Sequence, residues 1–341
     1  MRALLIGVLV AALAACGGES SPAADVAADL GAPDAAPDVA PDVPSDVVDM
    51  PDAPDVPDAP SVVYGTPCES ATQVGEFQVA HEDFYAQISG AVAEGVIPLT
   101  VLQEVESEGD CRLLQKKNPF CDPGCGAGEL CDHDATCIPY PENKSVGAVT
   151  VSGLTDGELV MEPKNATYFD TNVDLPLFGP GDRISLSAAG DELPGFELAA
   201  YGVPDLELAS DVLTMAEGQP LELSWTGAEG AWRVYFSLNI DQHGSSPATL
   251  FCDVEDTGAF QVPAHFVDSI LAMGVSGFAT AHFYRRTVDS AQLDAGCVQL
   301  TVSSYVYGKL EVEGHSACNA DPDCPEGEVC DIAINTCVGG G

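Results

Sequence analysis

Positive charge is scarce in this chain. Lys and Arg together number 11 against 54 Asp and Glu, for a formal charge of -43. So negative a surface repels phosphate backbones and anionic headgroups, which excludes nucleic acid and peripheral attachment to anionic lipid. Long apolar runs are scarce too. The longest, residues 4–13, has about ten residues, half of what a bilayer-crossing helix needs. Every later stretch is broken by charge, glycine or proline, so no membrane span is expected. Catalytic signatures are also missing: there is no HExxH, no Walker loop and no dinucleotide fingerprint. Around Ser276, Gly274-Val275-Ser276-Gly277-Phe278 lacks the last glycine of a nucleophile elbow. Neither enzymatic activity nor an organic cofactor is expected.

What is present begins with a leader. Arg2 followed by the apolar run at 4–13 has the form and length of a signal peptide over residues 1–15. It ends in Leu13-Ala14-Ala15-Cys16-Gly17, which resembles the lipobox of bacterial lipoproteins. The resemblance implies cleavage before Cys16, acylation of Cys16, and attachment to a membrane through two or three acyl chains, which hold firmly where one does not. In that family an aspartate after the cysteine favours the inner membrane. Gly17 stands there instead, which implies the outer membrane of a Gram-negative cell envelope. Residues 16–63 then read as the lipidated N-terminus and a linker built almost wholly from Ala, Pro, Asp and Val. Ten aspartates repel one another along it, with no aromatic residue and no Lys or Arg, so an extended disordered tether is expected. The repeated PxxP at Pro51, Pro54, Pro57 and Pro60 follows from that composition.

The chain has 13 cysteines, and setting Cys16 aside leaves an even number to pair outside the cytoplasm. Cys121, Cys125, Cys131 and Cys137 fall in residues 119–140; Cys318, Cys324, Cys330 and Cys337 fall in residues 315–341. Gly128-Glu129-Leu130-Cys131-Asp132 aligns with Gly327-Glu328-Val329-Cys330-Asp331, so the two segments repeat one small module. Segments this short bury too little to stay folded without cross-links. Zinc is the competing explanation, but it prefers tighter pairs in reducing compartments, so disulfides are expected. The run from Asp321, Asp-x-Asp-Cys-Pro-x-Gly-Glu-x-Cys-Asp, is similar to the Dickkopf-N-type cysteine-rich motif of many bacterial surface lipoproteins. That resemblance implies a structural module with pairing of first to third and second to fourth cysteine. The other four fall into two sequence-local pairs, Cys68 with Cys111 and Cys252 with Cys297. Each such loop would be worth on the order of 4 kcal/mol in the chain-entropy model.

The rest reads as mostly β. Residues 77–79 and 85–88 suggest strands of a smaller β domain over residues 64–118. In residues 141–314, the runs 148–151, 184–186, 196–198, 221–225, 233–240, 249–254, 278–284 and 298–306 are short, β-rich and separated by turn residues. Their cadence suggests two packed sheets, an immunoglobulin-like antiparallel β-sandwich, although no Trp sits clearly between two disulfide cysteines. One helical turn is expected at 264–273, with Phe266, Ile270 and Met273 on one face.

Candidate chemistry is sparse. Asn239-Ile240-Asp241-Gln242-His243-Gly244 puts titratable groups at a strand end, and Asp241 with His243 could serve a hydrolase or ligate a metal. Two groups complete neither a triad nor a metal site, and a turn at Gly244 explains them as well. For Ca2+, the alternating oxygens of Asn319, Asp321 and Asp323 are candidates, and Asp253, Glu255 and Asp256 form a second acidic run. Neither has EF-hand spacing, so solvated turns are the plainer reading. The sequence therefore points to a non-enzymatic surface lipoprotein that presents its β domain and disulfide-rich modules for envelope structure or for binding an envelope or extracellular protein or a glycan. A lipid-anchored hydrolase or metal-dependent enzyme using His243 and Asp241 is the alternative.

Overall fold

Runs in which apolar and polar residues alternate become strands, because the pleat sends successive side chains to opposite faces. The computed structural model describes residues 64–82, 84–230, 232–241 and 247–340. Cys16, the tether and His243 lie outside the described residues. In chain order the strands are β1 (Gln73–Glu82), β2 (Tyr85–Val92), β3 (Leu102–Glu108), β4 (Cys111–Lys116), β5 (Glu129–Cys131), β6 (Cys137–Pro139), β7 (Val149–Leu154) and β8 (Gly157–Met161). They continue with β9 (Thr167–Asp170), β10 (Arg183–Ala188), β11 (Phe196–Tyr201), β12 (Val212–Met215), β13 (Leu221–Ser224), β14 (Arg233–Asn239), β15 (Ala248–Glu255) and β16 (Ala259–Val262). The helix α1 (Ala264–Ala272) precedes the long pair β17 (Thr280–Leu293) and β18 (Gly296–Val312), then β19 (Glu328–Asp331) and β20 (Thr336–Gly339). Each run expected from alternation overlaps a strand, although 278–279 lie before β17, and the expected helical turn is α1, with Phe266 and Ile270 buried and Met273 37% exposed. No helix among the described residues is long and apolar enough to cross a membrane.

The architecture is mostly β and layered. Ten strands form one sheet in the order β3-β4-β15-β14-β17-β18-β1-β2-β9, and β12 joins β18 beyond the end of β1. Two of its pairings, β1 with β18 and β12 with β18, are parallel, which an all-antiparallel arrangement does not contain. One face is dry. A four-stranded sheet, β11-β10-β7-β8, covers half of it over Phe77, Ile88, Val151, Leu186 and Leu300. The β13–β16 pair and α1 cover the other half over Phe236, Leu250, Phe266, Phe283 and Leu310. Each such side chain contributes about 1.5–3 kcal/mol through burial. Strand β18 runs through both cores, giving Val298 and Val302 to the first and Leu310 and Val312 to the second.

A polar seam separates those cores. Register places Arg285 and His81 beside Ser304, on the same side of the sheet as Val302. The Arg285 Nε–H donates to Asp256 Oδ2 at 2.7 Å, and both side chains are 1% exposed. Trp225 Nε1–H donates to the other Asp256 oxygen at 2.7 Å, and the Arg285 guanidinium also donates to the carbonyls of Pro204, Asp205 and Thr226. His81 stacks on Phe178, with ring centroids 4.5 Å apart, and its Nε2 lies 3.1 Å from Asp205. A charge buried this deeply is tolerated only when its hydrogen-bonding capacity is met, as it is around Arg285.

Two expectations are corrected. Residues 64–118 are not a separate small β domain, because β1 pairs with β18 and β4 pairs with β15 inside the large sheet. The long-range disulfides follow the same geometry. Cys68 joins Cys297 across 229 residues, and Cys111 joins Cys252 across 141, so the local pairs Cys68–Cys111 and Cys252–Cys297 do not form. Cys111 and Cys252 are register partners on β4 and β15, which brings their sulfurs together. Loops this long are worth on the order of 5 kcal/mol each in the chain-entropy model.

The two modules do repeat one structure. Cys121 bonds Cys131 and Cys125 bonds Cys137; Cys318 bonds Cys330 and Cys324 bonds Cys337, first to third and second to fourth in each. Each carries a small hairpin, β5–β6 or β19–β20, in which the third and fourth cysteines face one another. Gly128 and Gly327 occupy matching left-handed positions, at φ 81° and 92°, where a side chain would be strained. Their carbonyls accept matching bonds from Tyr140 N and Gly340 N, each at 3.0 Å. The sulfurs are bonded to one another, so they are not zinc ligands.

Candidate binding site on the polar face of the large sheet

The other face of the large sheet is polar and aromatic. In β14, Val234, Phe236 and Leu238 point into the core, so Arg233, Tyr235, Ser237 and Asn239 point away from it. Phe251 and Asp253 of β15, His282, Tyr284 and Arg286 of β17, and Thr301, Ser303, Tyr305 and Tyr307 of β18 share that face by register. Glu76 and Gln78 of β1 extend it.

Four adjacent strands thereby build a row of rings. Phe251 and Tyr235 are stacked with centroids 5.8 Å apart, Tyr235 and Tyr284 lie at 6.2 Å, Tyr284 and Tyr305 at 5.9 Å, and Tyr305 and Tyr307 at 5.5 Å. These spacings fall in the range of favourable aromatic pairs, about 0.5–1.5 kcal/mol each. Burial raises the phenols of Tyr235, Tyr284 and Tyr305 above the usual tyrosine range, so they stay protonated hydrogen-bond donors. Burial also lowers the imidazole of His282, which stands against Tyr307 at 4.8 Å.

A cleft of about 500 Å³ opens over one end of the row, walled by Glu69 and Ser70 before β1, by Arg112 and Leu114 of β4, and by the outward residues of the central strands. At its floor Asp253 gathers three donors. Arg286 Nη2 donates to Oδ2 at 2.8 Å, Arg233 Nε donates to Oδ1 at 2.8 Å, and the Tyr64 hydroxyl donates to Oδ2 at 2.9 Å. Burial alone would raise the Asp253 carboxyl. The Arg286 charge and the hydrogen bonds from Arg286, Arg233 and Tyr64 outweigh it and hold the group below the usual aspartate range. The Arg286 guanidinium carbon lies over Tyr235, 3.8 Å from the ring centroid, and its buried Nε–H has no acceptor among the described residues. Leaving such a donor unmet costs about 1–3 kcal/mol.

A relay of neutral groups orders the wall. Gln299 Oε1 accepts from Cys68 N at 2.8 Å, Gln299 Nε2 donates to Thr301 Oγ1 at 3.0 Å, and Thr301 Oγ1 donates to Glu76 Oε1 at 3.1 Å. Gln78 and Ser237 also line the cleft, and neither makes a side-chain hydrogen bond among the described residues. The site therefore offers flat ring faces, an unused amide, an unused hydroxyl and a carboxylate anchored through one oxygen.

The residues singled out from sequence fall elsewhere. The Ser276 hydroxyl donates to Asp241 Oδ1 where 241 and 276 form a parallel bridge, and Ser276 is 9% exposed. His243 lies outside the described residues. Asp323 Oδ2 accepts from the backbone N–H of Asn319 at 2.8 Å and of Ala320 at 3.1 Å, and Asp321 Oδ1 accepts from Cys330 N at 2.9 Å. These carboxylates brace the second module. Among the described residues no three carboxylate or imidazole groups converge as metal ligands; only disulfide sulfurs do. The acidic run at 253–256 is split, with Asp253 on the polar face and Asp256 beneath Arg285 in the dry seam.

The ring row was missed from sequence. Its signal is Tyr235, Phe251, Tyr284, Tyr305 and Tyr307 at outward positions of four strands, where small or charged residues would serve solubility better. Comparison with protein-family models finds no match, and comparison with curated proteins finds none either.

Proposed function

We propose that the protein is a non-enzymatic binding lipoprotein, anchored by acyl chains on Cys16 and set off from the outer membrane of a Gram-negative envelope by residues 17–63. The polar face of the large sheet is its ligand site. The cleft carries this reading, because its floor is rigidly braced while Gln78, Ser237 and one Glu76 oxygen are left to meet a ligand. A thermal-shift screen of the full mature chain in detergent tests it with saccharides, short peptides, organic acids and polyamines. A ligand at a hundred times its Kd adds about 2.7 kcal/mol to stability. At least one class should raise the wild-type Tm and fail to raise that of Tyr284→Ala; no shift from any class would overturn the reading. Anchoring has its own test: partition into the detergent phase that Cys16→Ser abolishes.

A second reading, the lipid-anchored hydrolase, is favoured by one observation, the hydrogen bond from Ser276 to Asp241. It requires a hydroxyl that a substrate can reach, and Ser276 is nearly buried. Turnover of a short-chain ester that Ser276→Ala removes would establish it in place of the binding role.

A further inference from the structure

The first cleft lies over Phe251, Tyr235 and Tyr284. A second, of about 760 Å³, opens at the edge of β18 where β1 has ended at Glu82 and β12 has not yet begun its pairing at Lys309; Tyr305 and Tyr307 line it together with His81, Asp205, Leu206 and Ser304 from the seam side of the sheet. Phe84, 93% exposed, and Tyr307, 54% exposed, mark its rim. The rings follow one another at 5.8–6.2 Å across the strands from Phe251 to Tyr305, which is 8% exposed, and at 5.5 Å along β18 from Tyr305 to Tyr307, steps of the size of a sugar ring. A compact molecule would fill the first cleft alone, whereas rings that continue beyond it to the exposed Tyr307 suit an extended ligand of repeating flat units.

Charge and hydrogen bonding narrow its class. The cations of the first cleft already have partners: Arg286 with Asp253 at 2.8 Å, and Arg112 with Glu104 at 2.9 Å and Glu69 at 3.5 Å. An anionic ligand would have to break those pairs beside Glu76. A cationic one would find the cleft carboxylates Glu69, Asp110 and Asp253 already held by arginines, which leaves it Glu76. Groups left unmet among the described residues include the Gln78 amide and the Ser237 hydroxyl, beside the buried Arg286 Nε–H and the second oxygen of Glu76, which accepts from hydroxyl groups. Ring faces for the apolar side of a pyranose, with amide, hydroxyl and carboxylate for its hydroxyls, match a neutral polyhydroxylated chain. Resting on the reading of this face as a ligand site, we infer that the ligand is a neutral oligosaccharide lying across the strands from the first cleft toward Tyr307.

Isothermal titration calorimetry on the full mature chain in detergent tests this. The probes are short oligomers of the α-glucan, β-glucan, β-mannan, xylan and chitin series, with oligogalacturonate as the acidic control and spermidine as the cationic one. At least one neutral series should bind, more tightly as the oligomer lengthens. Gln78→Ala and Tyr307→Ala should each weaken it about tenfold, the equivalent of one lost polar or stacking contact, with unchanged unfolding midpoints. Binding confined to oligogalacturonate or spermidine, or to none of these probes, overturns the saccharide assignment while leaving the site open to whatever class the thermal-shift screen finds. Saccharide binding that neither substitution weakens removes the ligand from this face and overturns both conclusions.

Discussion

The two faces of the ten-stranded sheet are made by the same strands, and neighbouring residues serve opposite purposes on them. Phe283 is fully buried in the second core, and Tyr284, the next residue, stands half-buried in the ring row. Arg285 is sealed in the dry seam by Asp256, whereas Arg286 faces the cleft and shares Asp253 with Arg233. On the dry face a second layer of structure supplies the partners. On the polar face no second sheet of the described residues lies over Tyr235, Tyr284 and Tyr307, and Gln78 and Ser237 make no side-chain hydrogen bond among the described residues. Stability and the proposed binding role thereby fall on alternate residues, so substitutions one residue apart should differ in kind.

The largest expected effect is on the dry side. Arg285→Ala leaves the Asp256 carboxylate buried with its main cation gone and should cost about 3–5 kcal/mol, seen as a lower urea midpoint. Phe283→Ala should cost about the same through the cavity it opens, whereas Tyr284→Ala should cost about 1–2 kcal/mol. Equal losses at 283 and 284 would mean that the faces are not distinct. A smaller effect depends on pH. Asp253 is held below the usual aspartate range when folded, so its contribution is complete above an unfolded pKa of about 3.9 and is lost as pH falls through the lowered folded value. Asp253→Asn should lower Tm at neutral pH and flatten its decline under acid, which a pH series of melting curves would detect. The smallest effect is at the rim: Arg112 is 47% exposed, and Arg112→Ala should change stability by less than about 1 kcal/mol.

Much of this arrangement was legible residue by residue. Alternation marks the strands and separates Phe236 from Tyr235, and the spacing of the two modules exposes their repetition. Alternation does not say which strands become neighbours. Cys68 meets Cys297 because β1 lies parallel to β18, and nothing local to either cysteine indicates that pairing. The ring row was hidden for the same reason, since Tyr235, Tyr284 and Tyr305 are far apart in sequence and aligned only by register. Asp253 and Asp256 are a different case. Three residues apart along an extended chain, they face opposite ways, and the acidic run read as one cluster could have been divided from sequence alone.

The bond between Cys68 and Cys297 has a mechanical consequence if the chain is anchored at Cys16 as proposed. Tension entering from the N-terminal side would then reach a covalent link to the interior strand β18 before it reached the first hydrogen bonds of β1. The pull would pass into the middle of the sheet, and the strands of the polar face would keep their alignment under a force that would otherwise strip β1 away.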